Sequence, residues 1–479
     1  MEGSLWYVLC QGGVRMKTKC GIFLMALISI FTSCGTDFTY EAGQILAEQK
    51  TAAESDTEEE LDFSLEKEDD AYEEESLNRW TVLVYMAADN NLESAGISDF
   101  NELENADISD DVTVLVLFDR SEDYDATNGN WTGTRLYRIR KDRQLNRAQI
   151  ASEQLDCPEL GLKTSCETEL DMANPLTLSG FCEYAWKYFP AEHYALIVWG
   201  HGSGWRGADN PAAIARAVAI DDNSSSYMVI SQLRSAIQAG MNMEKLSVIG
   251  FDTCFGMSLE CAYELSDCAD YMLGTPALVS ESGWNYTEIM NQFSKSEESC
   301  RDFIEAVCSN YTVSYENYGH ASFSCVDLSK IPAFVADFSD YSLSLSSSIS
   351  TEKRRDEIFT IFTDSCLSYC DASYPTDFYV DVGDALSLLE PYYPSALVRD
   401  SLADCMVSSW SASGDDVSLA LFFCVYQTKK SISPSFPSMY KSGSREPLLS
   451  RFVRDCTGYV PSEEVSMTSL LDKLFYGTF

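Results

Sequence analysis

This chain of 479 residues has only three histidines, no Cys-x-x-Cys pair, and 33 basic side chains against 75 acidic ones. Each shortage excludes something. With so few histidines and no Cys/His cluster at metal-ligand spacing, a zinc finger or a histidine-rich metal centre is ruled out. A formal net charge of −42 argues against nucleic acid, whose phosphates need basic neutralisation. No apolar run approaches the ~20 residues that a spanning helix requires.

What is present begins with an export signal. From Met16 the chain reads MKTKCGIFLMALISIFTSC, two lysines followed by an apolar run from Cys20 to Phe31. That is the pattern of a secretory signal, too short for a membrane span. Its end, FTSC, resembles a bacterial lipobox with Cys34 as the lipidated residue, although Phe31 departs from the usual aliphatic residue there. The expected location is exported, as a cell-surface or outer-membrane lipoprotein or as a secreted protein. Residues 34–78 then read as a disordered, self-repelling acidic tether, because they are dense in Glu and Asp and have little to bury. Of 17 cysteines, 14 remain beyond the signal and Cys34. Several, including Cys182, Cys261 and Cys424, sit within apolar patterns as small core residues. Export would permit disulfides, with no connectivity readable.

Four continuous apolar runs, WTVLVYMA (Trp80–Ala87), VTVLVLFD (Val112–Asp119), YALIVWG (Tyr194–Gly200) and KLSVIGFD (Lys245–Asp252), read as strands covered on both faces. Amphipathic segments between them supply helices, and YMLGTPAL (Tyr271–Leu278) reads as a fifth strand. The expected fold is α/β, a mostly parallel sheet with helices on both faces over residues 79–330. Residues 331–479 read as a mainly helical C-terminal extension, with SLALFFCVY (Ser418–Tyr426) as an added strand.

Binding sites in such sheets lie beyond the carboxyl ends of the strands. The third run ends in Gly200-His201-Gly202 and the fourth in Asp252-Thr253-Cys254. A histidine and a cysteine on adjacent strand ends can meet as acid/base and nucleophile. The glycines allow a sharp turn and close approach of a carbonyl, making the Gly202 and Cys254 amides candidate oxyanion donors. Cys254 is expected to open a helix, whose dipole would favour thiolate. His193, before its strand, and His320, at a turn, are set aside. Ser203 stands in G-H-G-S-G, which lacks the G-x-S-x-G order of a serine hydrolase.

The segments WTVLVYMAADNNLE, YALIVWGHGSGW, IGFDTCFGMSLECAYEL and ALVSESGWNY together resemble the signature blocks of the clostripain family of cysteine peptidases, of the caspase- and gingipain-like clan, from about Trp80 to Tyr286. The resemblance implies a caspase-like fold and a catalytic dyad of His201 and Cys254, with no required third carboxylate. It implies cleavage after Arg or Lys, with Asp252 at the floor of the pocket and Trp284 on its wall, stacked on the stem of the basic side chain. It also implies a zymogen cut between the catalytic residues, here at Arg216–Ala217, leaving a monomer or two associated chains. No cofactor is required. Calcium is used by some of the family, and Asp221 and Asp222 are its candidate ligands. A surface-anchored binding lipoprotein retaining the fold without catalysis is the alternative.

Overall fold

The computed structural model describes residues 77–423 except 123, 145–148, 203–218, 222–223, 320 and 370–377, together with Leu470 and Leu474. The export segment, Cys34, the acidic tether, Ser203, Arg216, Asp222, His320 and Cys424 therefore lie outside the described residues.

The chain opens with β1 (Asn78–Ala88), α1 (Glu93–Asn105), β2 (Val112–Arg120), β3 (Gly133–Arg138), β4 (Glu153–Leu155), α2 (Pro175–Tyr188) and β5 (Ala191–Trp199). There follow β6 (Ala219–Asp221), β7 (Ser226–Met228), α3 (Ile230–Gly240), β8 (Leu246–Asp252), α4 (Leu259–Glu264) and β9 (Ala269–Gly274). The remainder comprises α5 (Tyr286–Phe293), α6 (Cys300–Tyr315), β10 (Ser322–Asp327), α7 (Ile331–Ser348), α8 (Glu352–Thr360), β11 (Phe378–Asp381), α9 (Val382–Leu389), α10 (Ala396–Cys405), β12 (Met406–Ser411) and β13 (Ala420–Phe423).

One nine-stranded sheet, in the order β12-β10-β9-β8-β5-β1-β2-β3-β4, forms the centre. The five strands read from apolar runs are its parallel core, β9-β8-β5-β1-β2. The outer strands β10, β12, β3 and β4 pair antiparallel. Continuous apolarity has the expected cause. On β1, Leu83, Tyr85 and Ala87 join one core cluster, while Val82, Val84 and Met86 join the other. Helices α2, α3, α4 and α7 cover the first face through residues such as Phe181, Ile237, Cys261 and Phe334. Helices α1, α5 and α6 cover the second through Phe100, Phe293 and Phe303. The sequence also sets local boundaries: the Asn174 side chain accepts the Leu176 N–H and Pro175 takes the first turn, so α2 starts there.

The C-terminal segment enters the sheet. Strand β12 pairs with β10 at the sheet edge. The run from Ser418 becomes β13, but it pairs with β11 in a separate two-stranded sheet. Among the described residues no helix is long and apolar enough to cross a membrane. None of the eleven described cysteines is in a disulfide, and Cys182 and Cys261 are fully buried, as their patterns suggested.

Candidate active site

Strands β5 and β8 end side by side, with Trp199 in register with Asp252. Gly200 follows at φ +139°, and a Cβ there would stand 2.9 Å from the Ala87 carbonyl oxygen, so only glycine makes this turn without strain. The turn delivers His201, whose Nε2 lies 2.8 Å from Oδ1 of Asn91, just beyond β1. An amide oxygen only accepts, so in this contact Nε2–H donates to Asn91. Gly202 comes next. A Cβ on it would lie 2.6 Å from the Thr253 Cβ and 2.7 Å from the Cys254 carbonyl oxygen. The backbone after the histidine thus rests on the backbone at the cysteine. Cys254 is half-buried, and the Val279 N–H donates to its Sγ at 3.3 Å.

One expectation is corrected. Cys254 does not open a helix: α4 begins at Leu259 behind the N-cap Ser258. Phe255 adopts φ +57°, and the N–H groups of Phe255 and Met257 donate to Ala277 and Thr275 carbonyls, which commits this stretch to an irregular turn. A helix starting at Cys254 is therefore not what acts on the thiol; the Val279 amide, from the segment after β9, donates to it.

Beneath the turn lies a pair of acids. Asp252 is buried, and its Oδ2 accepts from the Trp284 N–H and the Tyr286 hydroxyl, each at 3.0 Å. Asp99, from α1, accepts the Trp199 indole N–H at 2.7 Å. Burial foremost pushes the Asp252 carboxyl up to about 7, the Trp284 and Tyr286 hydrogen bonds opposing the shift. Burial and then the charge of Asp252 raise Asp99 well above the carboxylate range. Among the described residues no Lys or Arg is among the groups acting on either acid. The Asp252 Oδ1 is buried and has no hydrogen-bond partner among the described residues. Trp284, expected on a pocket wall, is 1% exposed. Its ring fills the space above Gly250 and meets Phe323 edge-on, so in this conformation it is a core residue with no face to offer a ligand.

His193 lies at the opposite end of the sheet, in register with Trp80 near the start of β1. Its Nδ1 is 3.0 Å from Ser247 Oγ and 3.7 Å from the Sγ of Cys300, the first residue of α6. That His/Cys contact was not legible in sequence, where the two residues are 107 positions apart. Asp221, one of the two candidate calcium ligands, gathers with Asp89, Asp119 and Glu169. Asn91, Asp99, Asp89 and Asp119 all carry polar roles that the sequence reading missed. The signals available were the DNNLE turn, which placed Asp89 and Asn91 at a strand end, and the run Val112–Asp119, which ended on an acid; Asp99 had no such signal.

The sequence profile of the clostripain family matches residues 84–396. The chain belongs to the clostripain family. It is 25% identical over 228 residues to clostripain from Hathewaya histolytica, an overlap covering 44% of this chain and 41% of that protein, so the chain spans well under half the length of this relative. Among solved structures it resembles a secreted C11 cysteine protease from Bacteroides thetaiotaomicron in complex with an irreversible peptide inhibitor, with a TM-score of 0.53 at 18% identity over 80% of this chain and 100% of that one. It equally resembles an inactive zymogen C11 protease from Parabacteroides distasonis, with a TM-score of 0.53 at 18% identity over 79% and 97%. At these identities the likeness concerns the fold, which is the caspase-like α/β sheet expected of a clostripain-family chain.

Proposed function

We propose that this clostripain-family chain is an exported cysteine endopeptidase that cuts after Arg or Lys, with Cys254 as nucleophile and His201 as acid/base. The observation that carries the reading is the seating of Gly202 on Thr253 and Cys254 while Asn91 fixes the His201 ring. The Cys254 thiolate attacks the scissile carbonyl carbon, forming an S–C bond and an oxyanion received by the Gly202 and Cys254 amides. As the oxyanion collapses, the C–N bond breaks and the imidazolium Nδ1–H protonates the departing amine. Water, deprotonated by the same nitrogen, then attacks the thioester and releases the acid and the thiolate. Thiol and imidazole carry both steps, and the chemistry requires no cofactor. Asp252 would pair with the guanidinium or ammonium of the substrate, with Asp99 as a second acid beside it. Activation by a cut at Arg216–Ala217, giving two associated chains, and a lipid anchor at Cys34 complete the proposal. Substrates are proteins or peptides.

The test is mass-spectrometric mapping of the thiol alkylated by an irreversible peptide ketone ending in Lys. Labelling of Cys254 that disappears in His201→Ala supports the reading. A serine-directed fluorophosphonate should leave activity intact.

A second reading rests on the 3.7 Å approach of Cys300 to His193. It has less to work with. That His193 nitrogen is shared with Ser247, the ring lies against buried Trp80, and burial raises the Cys300 thiol away from thiolate. Labelling at Cys300 instead of Cys254 would establish it. No labelling and no cleavage would favour a binding lipoprotein.

A further inference from the structure

A buried ion pair stands two residues beyond Asn91. Glu93 opens α1, and Arg120 closes β2 in register with Ala88. The Arg120 Nε–H donates to Glu93 Oε1 at 2.7 Å, and neither side chain has any exposed surface. The other two guanidinium nitrogens turn to main chain, Nη1 donating to the Thr127 carbonyl at 3.2 Å and Nη2 to the Asp125 carbonyl at 2.8 Å. Glu93 Oε2 accepts the Asp125 N–H at 2.9 Å. The Trp131 ring lies 5.0 Å from the guanidinium carbon. One pair of side chains thus ties together the start of α1, the end of β2 and the chain at residues 125–127.

Such a pair is not explained by stability. Taking both ions out of water offsets most of their attraction, and apolar side chains of the same volume often stabilise a fold as well. Apolar side chains could not hold three main-chain groups in place. The Arg140–Glu153 pair shows the contrast: its side chains are 48% and 50% exposed. Helix α1 also begins without a side-chain cap. Its N-cap is Leu92, and its first-turn acid is committed to Arg120 instead. Asn91 is exposed, so its place depends on the turn that carries it. Asn90 secures that turn on one side, accepting from the Leu92 N–H at its side chain and from the Glu93 N–H at its carbonyl. Glu93 secures it on the other. Further along α1, Ile97, Phe100 and Leu103 are buried, so packing holds the rest of the helix and Asp99 without the pair.

We propose that Glu93 and Arg120 are positioning residues that clasp residues 125–127 to the start of α1, and so hold Asn91 where it sets the His201 imidazole. This inference rests on the reading of His201 as acid/base. The pair takes no part in bond making and acts only through Asn91, whose Oδ1 accepts from His201 Nε2. A guanidinium is required because its three nitrogens are all engaged; an ammonium keeps the charge and loses the fork.

The test has two readouts. The first is NMR of isotope-labelled histidine in full-length protein carrying Cys254→Ala, at about pH 8.5, above the ordinary imidazole range. The chain has three histidines, so the His201 signals are assigned by their loss in His201→Gln. The parent should show His201 protonated on Nε2. Arg120→Lys should shift the ring towards a mixture of tautomers, and Glu93→Gln, which keeps one acceptor, should shift it the same way and less. Arg140→Lys, at the exposed pair, should leave the signals unchanged. The second readout is kinetic, on a fluorogenic Arg peptide. Arg120→Lys should lower kcat about tenfold with KM within about twofold. Combined with Asn91→Ala, it should lower kcat no further than Asn91→Ala alone, because both act on one contact. His201 signals unchanged in both Arg120→Lys and Glu93→Gln overturn the proposal. So does a combined loss of about 100-fold, the product of two independent effects. If the parent protein cleaves no peptide, the proposed function fails, and the NMR signals alone decide the clasp.

Discussion

Asp99 and Asp252 converge on one point: a Cβ placed on Gly283 would stand 2.9 Å from Oδ2 of each. Gly283 has φ +53°, and its carbonyl accepts the Tyr315 hydroxyl at 2.6 Å, which holds the turn against the acids. One acid comes from α1 and the other from the end of β8, so the pair is created by packing. Among the described residues no basic side chain is among the groups acting on either carboxylate, and on the proposed function the pair would receive the cation of the substrate. Replacing Asp252 by Asn should reduce kcat/KM for Arg and Lys peptides about 100-fold, the scale of removing one partner of a buried charge pair. Asp99→Asn should cost less, about tenfold. Steady-state kinetics on both variants, with the rate of alkylation by a neutral thiol reagent as a control, checks this.

The same pair makes stability depend on pH. Asp252 has its carboxyl raised from 3.8 to about 7, so the folded state keeps a proton that the unfolded chain has released. Its stabilising contribution is fully present below pH 3.8 and is lost as pH rises towards and through about 7. Removing one of the two charges should therefore help most at high pH. Asp99→Asn should raise Tm relative to the parent protein at pH 8 and not at pH 5. A Tm difference constant across that range would show that the acids do not interact.

On the proposed function Asn91, which accepts from the His201 Nε2, acts as a positioning residue for the imidazole. Asn91→Ala should lower kcat about tenfold and leave KM nearly unchanged, because the ring loses its orientation while the pocket is intact. Asn91→Asp should restore part of the rate, since a carboxylate can also accept from Nε2. A loss confined to KM would contradict this role.

Gly202→Ala tests the close approach of the two turns. The added methyl meets Thr253 and the Cys254 carbonyl at 2.6 and 2.7 Å, so the histidine and cysteine backbones must separate. Displacements of about 1 Å at a reacting centre cost on the order of 100-fold in rate. The variant should remain folded by circular dichroism and lose activity by at least that factor.

The parallel strands were legible because both faces of each are buried, which leaves continuous apolar runs such as Val112–Asp119. Strand β12 was not, because M-V-S-S-W-S is half exposed at the sheet edge and carries no such run. Cys254 was misread as a helix start because the chain beyond it is amphipathic. What decides its conformation is the positive φ of Phe255 and two hydrogen bonds to the segment after β9. His201, Asp252 and Cys254 could be named from strand ends. Asn91, Asp99 and Asp119 could not, because each acquires its partner only when distant strands and helices close around it.

The most direct measurement of the central claim is hydrolysis of fluorogenic peptides ending in Arg, Lys, Asp and Leu by the parent protein, Cys254→Ala and Cys300→Ala. The account predicts cleavage after Arg or Lys that is lost in Cys254→Ala and kept in Cys300→Ala. Cleavage that survives in Cys254→Ala would contradict it.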